Sequence, residues 1–326
     1  MKFLSTFRVS AMGVLLVAGA LDSAAQYNHP KEPVDPTLSY QIVKTGLHMI
    51  SGKGGNCLLR LSGNGLILVD ANLPGNGQSL LKGVHKISDQ PVRLVIFTSS
   101  DKSNIGNSEK LLETGAFFAV QENAKQNLMS SIPSADAERI KTYEREHLVR
   151  LGGIEVQVMH FGNAHTNADS VVYFPNLKVV AVGDLFSATP NPDFAAGGSM
   201  VNWGPVIANV LKLDFDVAVP SKGPTVSRAD LEAFKTKIDT LVSRATVLVK
   251  DGVPKEQLMG KLKTDDLGWQ LSFTPEQIDH FYAELSRTQT GLLVVPSVGS
   301  TQTSSQLSGR RTPDPRQSTP LTELTQ

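Results

Sequence analysis

The sequence predicts an α/β protein in which two β-sheets pack face to face between outer layers of helices, a four-layer αββα sandwich. Each half of the chain opens with short apolar runs separated by turn residues, and amphipathic helical segments follow these runs. Hydrophobic residues make up 40% of the 326 residues, which is enough for a packed core. Two such halves bury their sheets against each other and keep their helices outside.

In the first half, the apolar runs predict a β-meander. Asn64 and Gly65 lie between two of these runs, and Asn-Gly in that position predicts a β-hairpin. The predicted strands span residues 41–50, 57–61, 66–69, 92–97 and 116–120. The predicted helices span residues 78–88, 107–113, 121–130 and 135–143.

The second half repeats this order of strands and helices. The predicted strands span residues 147–151, 154–160, 171–174, 179–182 and 217–219. The predicted helices span residues 200–211, 228–250, 254–262 and 275–285. We therefore expect a folded domain over residues 41–296.

The first 25 residues have the features of a secretory signal peptide. Positive charges precede a mostly apolar run at residues 9–20, and small residues precede Gln26. Because a bilayer requires about 20 apolar residues, this run is too short for a permanent membrane span. We expect residues 1–25 to be cleaved and the mature protein to be secreted or periplasmic, without membrane attachment.

Composition limits the remaining segments and the partners. Residues 26–40 are polar and contain proline, which predicts a linker, and residues 297–326 are rich in Ser, Thr and Pro, which predicts a disordered tail. Lys plus Arg number 31 and Asp plus Glu number 31, so no basic excess indicates a nucleic-acid partner. An interaction module that uses the tail or the outer helices is one open alternative.

Cys57 is the only cysteine, so it cannot form a disulfide within the chain. Its leucine neighbours indicate a small buried hydrophobic residue, and a catalytic thiol is the alternative.

Polar residues at predicted strand ends are the candidates for chemistry. Asp70 follows the run at residues 66–69, Asp184 follows the run at residues 179–182, and His165 precedes a strand. Strand ends and the loops after them are where α/β folds place ligands.

These residues also carry a resemblance to a known family. The segment from Ala164-His165-Thr166 to Val182-Gly183-Asp184 resembles the third-histidine motif and the bridging Gly-Asp of the metallo-β-lactamase superfamily, and residues 213–220 resemble the run into its last histidine. The resemblance covers roughly residues 41–284 and implies an αββα sandwich of the metallo-β-lactamase type. It also implies hydrolysis at two zinc ions, held by a His-x-His-x-Asp-His motif, a further His, a bridging Asp and a final His.

This chain departs from the family pattern at most ligand positions. Gly106-Asn107 matches the end of the histidine motif and sets the register. The seven family positions are then occupied by Thr98, Ser100, Lys102, Ser103, His165, Asp184 and Lys222. Only His165 and Asp184 keep a ligand type of the family. An alternative register, shifted by one residue, makes Asp101 a ligand; we disfavour it because such a shift turns a side chain away in an extended segment.

Two ligands are one fewer than the usual three of a catalytic zinc site. A lysine ammonium about 4 Å from a divalent ion is repelled by roughly 8 kcal/mol at an effective dielectric of about 20. We therefore expect that zinc is lost, that no cofactor is bound, and that Lys102 or Lys222 pairs with Asp184. The expected function is a non-catalytic or ligand-binding pseudo-hydrolase, with hydroxyl and ammonium donors suited to a small anion.

Several alternatives stay open from the sequence. One alternative is a hydrolase of this family with weak or single-metal activity. Another is a metal-free hydrolase in which Lys102 and either Ser103 or Ser100 form a Ser–Lys nucleophile pair. His165 is a loop histidine bonded to backbone, a metal ligand or a ligand contact, and Asp184 is a turn cap, an ion-pair partner or a catalytic group. We assign Asp70 to support of its loop, and the two lysines to either a solvated surface or a cationic pocket.

Overall fold

The computed structural model of the chain describes residues 38–289 except residues 131 and 133. These residues form two packed sheets with helices on both outer faces, which confirms the predicted αββα architecture. The predicted signal peptide at residues 1–25, most of the predicted linker at residues 26–40 and the predicted tail at residues 297–326 lie outside the described residues.

The first sheet contains seven strands, arranged in the order in which they occur along the chain. They are β1 (Ser39–Lys44), β2 (Leu47–Gly52), β3 (Gly55–Ser62), β4 (Gly65–Val69), β5 (Val92–Ile96), β6 (Phe117–Gln121) and β7 (Ile140–Tyr143). β1 to β4 are antiparallel, and Ser62 pairs with Gly65 at the predicted hairpin. β4 to β7 are parallel, so their carboxyl ends lie at one edge of the sheet.

The second sheet contains six strands in the order β13-β12-β11-β10-β9-β8. They are β8 (Glu146–Leu151), β9 (Ile154–Met159), β10 (Val171–Phe174), β11 (Val179–Gly183), β12 (Val217–Pro220) and β13 (Val226–Ser227). β11 and β12 are parallel, and the other pairs are antiparallel. The loops after β11 and β12 therefore leave the sheet at the same edge.

Helices cover the outer faces of both sheets. They are α1 (Gly77–Ile87), α2 (Lys102–Ile105), α3 (Ser108–Glu113), α4 (Lys125–Met129), α5 (Met200–Val210), α6 (Arg228–Lys250), α7 (Lys255–Lys261) and α8 (Pro275–Gln289). Within residues 38–289, no helix combines the length and the apolar character that a membrane span requires.

Alternation along the strands explains the three apolar layers of the core. In β4, Leu66 and Leu68 pack beneath the first-half helices, whereas Ile67 and Val69 face the other sheet. β11 follows the same rule, because its residues alternate between the layer under the second-half helices and the layer between the sheets. Successive side chains of a strand point to opposite faces, so a strand buried on both faces is apolar throughout.

The structure differs from the prediction in a few elements. The predicted helix at residues 135–143 is wrong: a 3₁₀ turn (Ser134–Arg139) leads into β7. Ile140 and Tyr143 are buried three residues apart, which resembles a helical spacing, but pairing with β6 decides the conformation. The run at residues 41–50 contains a turn that divides it into β1 and β2, and the short elements α2 and β13 were not predicted.

Asn56 in β3 connects the two halves of the fold. Its side-chain amide donates to the carbonyls of Pro220, at 2.8 Å, and Gly223, at 2.9 Å, and its backbone N–H donates to Ser221 at 2.7 Å. The loop after β12, which carries Lys222, is thereby fixed to the first sheet.

We predict that Asn56→Ala lowers the free energy of unfolding by about 1–3 kcal/mol, because it leaves two carbonyls beside β12 without their donor. Urea unfolding followed by circular dichroism measures the change. Gln257→Ala, at an exposed position of α7, is the control and should change stability by less than about 0.5 kcal/mol. Equal stability of the two variants would contradict this role of Asn56.

Candidate metal centre

The candidate site lies at the edge where the carboxyl ends of the parallel strands of both sheets meet. The loops after β4 and β5 approach it from the first sheet, and the loops after β11 and β12 approach it from the second. A backbone hydrogen bond from Ser170 to Thr98, at 2.7 Å, joins the two halves at this edge.

Three side chains converge here with atoms that can bind a metal. One ligand atom each from Asp101, His165 and Asp184 lie within 4.8 Å of one another. The shortest contact is between His165 Nε2 and Asp101 Oδ2, at 2.9 Å, and both side chains are largely buried. Asp184 Oδ2 also accepts a long hydrogen bond of 3.4 Å from Ser99 Oγ.

The orientation of His165 is set by backbone on the far side of its ring. His165 Nδ1 lies 2.8 Å from the carbonyl oxygen of Asn191, which can only accept a hydrogen bond. Nδ1 therefore carries a proton, and Nε2 is directed toward Asp101. A histidine that donates its second ring N–H to a carbonyl has the arrangement typical of metal-binding histidines.

The surrounding charges shift the pKa of each member of the cluster. Burial lowers the pKa of His165, but the hydrogen bond to Asp101 and the charges of Asp184, Asp101 and Asp169 outweigh it and raise the pKa to about 9. Burial raises the pKa of Asp101, but the hydrogen bond and charge of His165 outweigh it and leave the pKa below its ordinary value. Burial raises the pKa of Asp184, against the charges of His165 and Lys222.

Asp169 holds the loop that carries His165. Its buried carboxylate accepts hydrogen bonds from the backbone N–H groups of Ala164, at 3.1 Å, and Thr166, at 3.0 Å, and from Thr166 Oγ1 at 2.7 Å. Burial raises the pKa of Asp169 to about 7, although the charge of His165 opposes this rise. The loop geometry therefore depends on a fully satisfied buried carboxyl group.

A second network lies beneath the cluster. Asp70 accepts from the backbone N–H of Thr98, at 2.8 Å, and from Thr98 Oγ1, at 2.7 Å. Asn104 donates to Thr98 Oγ1, at 2.8 Å, and to Ser221 Oγ, at 3.2 Å. This arrangement agrees with the assignment of Asp70 to loop support.

Gly183 allows the loop with Asp184 to approach this network. Its φ of 56° lies in the left-handed region, and a Cβ atom would lie 2.6 Å from Thr98 Oγ1. A side chain at this position would displace Thr98 and, with it, the contact between the loops after β5 and β11.

Comparison with known proteins shows which chains this protein resembles in sequence and fold. No family model matches the chain. Over 197 residues the chain is 27% identical to metallo-β-lactamase type 2 of Bacillus cereus, which covers 57% of this chain and 74% of that protein. It is 22% identical over 192 residues to the 2,4-dinitroanisole O-demethylase subunit alpha of Nocardioides sp. (strain JS1661), 58% of each chain. Among solved structures, a metallo-β-lactamase from Pontibacter korlensis superposes with a TM-score of 0.55 at 20% identity, covering 62% of this chain and 99% of that one.

The chain therefore has the metallo-β-lactamase fold and resembles a metallo-β-lactamase in sequence. Because metallo-β-lactamases are zinc-dependent, we compare the position of each predicted site residue with the cluster. His165 and Asp184 do lie together in the cluster. Thr98 belongs to the network of Asp70, and Ser103 Oγ donates to the neighbouring Asn104 at 2.9 Å. Ser100 is buried, with no cluster contact among the described residues.

The two lysines also differ from each other. Lys102 is exposed at the start of α2, and the charges that act on Asp184 do not include it. Lys222 is exposed too, but its charge lowers the pKa of both Asp184 and Asp101. Within the described residues neither lysine forms the predicted salt bridge with Asp184, so Lys222 acts through its field and not through direct contact.

Asp101 takes part in the cluster, in agreement with the register shifted by one residue that we disfavour from the sequence. The expected loss of the metal is therefore not confirmed, because three potential ligands converge instead of two. Sequence reasoning did not single out Ser99, Asn104 or Ser221, whose polar side chains were not distinguishable from ordinary loop residues. Asp169 was also missed, although its place four residues after His165 and two residues before β10 was a usable signal.

We predict that Asp169→Ala lowers the free energy of unfolding by about 2–3 kcal/mol, because it leaves buried donors of the His165 loop without an acceptor. Urea unfolding measures the change. Asp214→Ala serves as the control, since Asp214 is exposed and pairs with Lys178 on the surface, and it should cost less than about 1 kcal/mol. A loss for Asp169→Ala no larger than that of the control would contradict this role.

Proposed function

We propose that this chain is a hydrolase-like protein of the metallo-β-lactamase fold whose centre binds one divalent cation through Asp101, His165 and Asp184. The contact between His165 Nε2 and Asp101 Oδ2 carries the proposal. Because Nδ1 donates to Asn191, Nε2 is the ring atom that faces a carboxylate oxygen, at 2.9 Å. Two acceptors at this distance require either a proton on Nε2 or a cation that both atoms bind.

The geometry suits one ion. Ligand atoms bound to one zinc at about 2.0–2.2 Å lie roughly 3.3–3.6 Å apart in a tetrahedral site. The three atoms here lie within 4.8 Å of one another, so small side-chain movements would bring them onto one ion. Three protein ligands are the number found in catalytic zinc sites, where a fourth position stays open. The carbonyl of Asn191 holds the imidazole in a fixed orientation, as the outer shell of a metal site does.

The same surroundings argue against a second ion. The hydroxyls of Ser99 and Ser221 donate hydrogen bonds to Asp184, and the amide of Asn104 donates to Ser221. Neutral hydroxyls and amides are poor zinc ligands compared with thiolate, imidazole and carboxylate. Lys222 adds a positive charge on this side of the cluster.

A bound cation would supply Lewis acidity, which makes water a stronger nucleophile and polarises a scissile bond. The chain itself contributes orientation and charge. His165 is held by Asn191, the loop of His165 is held by Asp169, and Lys222 attracts an anionic substrate to the open side. The bond that is cleaved does not follow from the fold, because one fold hosts many reactions.

A non-catalytic pseudo-hydrolase that binds a small anion is the second candidate, and a specific observation favours it. With a pKa of about 9, His165 is protonated at neutral pH when no metal is bound. Its proton then satisfies Asp101 without a cation. Protonated His165 and Lys222 then offset the charges of Asp101 and Asp184, and the exposed Lys222 is the positive group that an anionic ligand would contact.

The metal content of the purified chain tests the first candidate. We predict about one equivalent of a divalent cation after dialysis against Zn²⁺ or Mn²⁺ and removal of unbound metal, because three ligands define one site. Elemental analysis measures it. Asp101→Asn should lower the content several-fold, whereas Asp214→Asn, a surface control, should leave it unchanged.

Each other outcome has a distinct meaning. Two equivalents would contradict the mononuclear site. A metal content near zero in both variants and in the unchanged chain would contradict cation binding and favour the pseudo-hydrolase. A thermal shift of the unchanged chain with phosphate, lost in Lys222→Met, would then support the pseudo-hydrolase. Turnover of a β-lactam, lactone, thioester or phosphodiester that stops with chelator would identify the reaction.

We also propose that the protein is exported, since residues 1–25 have the charge, apolar run and small residues of a signal peptide. We predict that protein recovered from the periplasm of a Gram-negative host begins at Gln26. N-terminal sequencing measures this. A chain that keeps Met1 and stays in the cytoplasm would contradict export.

A further inference from the structure

A groove separate from the cation ligands lies between the loop after Asp184 and the outer helix α6. Its volume is about 250 Å³, and its walls include Phe186, Ala233, Phe234, Lys237 and Trp269. This space corresponds to roughly eight water molecules at about 30 Å³ each. It is below the range of about 300–1,000 Å³ for drug-sized ligands, so it suits a molecule with a single ring.

The sequence of α6 explains why the groove exists. Asp230, Ala233, Phe234 and Lys237 have the spacing i, i+3, i+4 and i+7, so they line one face of the helix. Ala233 has the small side chain on this face and leaves the space open. Phe234 packs against Phe186 at 5.0 Å between ring centres.

Aromatic rings form the floor of the groove. Trp269 lies 5.5 Å from Phe234, with the rings in an edge-to-face arrangement. Both residues are almost completely buried, whereas Phe186 is only partly buried and forms the opposite wall. Such a floor accepts the edge or face of a planar ring.

The groove carries one positive and one negative side chain, at opposite ends of its α6 face. The Lys237 ammonium lies 5.7 Å from the centre of the Trp269 ring and forms no salt bridge among the described residues. The Asp230 carboxylate, about two helical turns away, is ionised and accepts hydrogen bonds from the hydroxyl and N–H of Ser227 in the cap of α6, so the charge beside Trp269 is positive. The neighbouring Lys235 is paired with Asp239 and lies outside the groove.

We propose that this groove is a binding site for a small carboxylate that carries one aromatic ring. The ring lies against Phe186, Phe234 and Trp269, and the carboxylate pairs with Lys237. The aromatic walls select the ring, the volume limits it to one, and the unpaired ammonium selects the charge. The site requires no cation at Asp101, His165 and Asp184, so it stands independently of the function proposed above.

Titration of the full chain with phenylacetate tests the proposal, with isothermal titration calorimetry as the readout. We predict saturable binding with a Kd on the order of 1 mM or below, as expected for about ten non-hydrogen atoms in a partly enclosed site. Acetate, which lacks the ring, and phenylacetamide, which lacks the charge, should each bind at least about fivefold more weakly.

Variants on α6 locate the binding. Ala233→Leu fills the groove at an exposed helical position and should abolish binding, whereas Ala229→Leu, one turn earlier, should not change it. Lys237→Met should raise the Kd about fivefold, and Lys235→Met should change it less than about twofold. Asp101→Asn should leave binding intact.

Three results would overturn the proposal. The first is the absence of saturable phenylacetate binding by the folded chain. The second is binding that survives Ala233→Leu unchanged while circular dichroism shows that this variant is folded. The third is loss of binding in Asp101→Asn, which would place the carboxylate at the cation site.

Discussion

Polar groups buried where the two sheets meet must find hydrogen-bond partners, and the site depends on this constraint. An unpaired buried donor or acceptor costs about 1–3 kcal/mol. Asp70 lies here with its backbone in the left-handed region and its carboxylate bonded twice to Thr98. Asn104 connects Thr98 to Ser221 in the other half. Hydroxyls and amides therefore join the loop after β5, which carries Asp101, to the loop after β12, which carries Lys222.

Much of the fold could be predicted because strands buried on both faces leave a clear pattern. The continuous apolar runs of β4 and β11 serve one layer with odd residues and another with even residues. The pattern fails where burial is sparse. In β7 only Ile140 and Tyr143 are buried, three residues apart, so local spacing indicated a helix while pairing with β6 determined a strand.

The site was harder to predict, because its register depends on the local conformation of one loop. The argument against Asp101 assumed an extended segment, in which a shift of one residue reverses a side chain. The chain instead enters α2 directly after Asp101, and in a helix adjacent side chains are about 100° apart. Asp101 thus precedes the helix and reaches His165, while Lys102 lies on the exposed side. The spacing of residues in the sequence alone does not predict that a helix begins directly after Asp101.

The charge balance of the cluster relates the two candidate functions to each other. With both carboxylates ionised, protonated His165 and Lys222 neutralise Asp101 and Asp184 without any metal. A divalent cation must displace the proton of His165. The cation and Lys222 then carry three positive charges against the two negative charges of Asp101 and Asp184, which leaves one positive charge in excess. Coordination by three ligands has to outweigh both effects for a cation to be retained. The charge of Lys222 opposes a cation and attracts an anion, and because Lys222 is exposed and partly screened, this screening determines how strongly each is favoured.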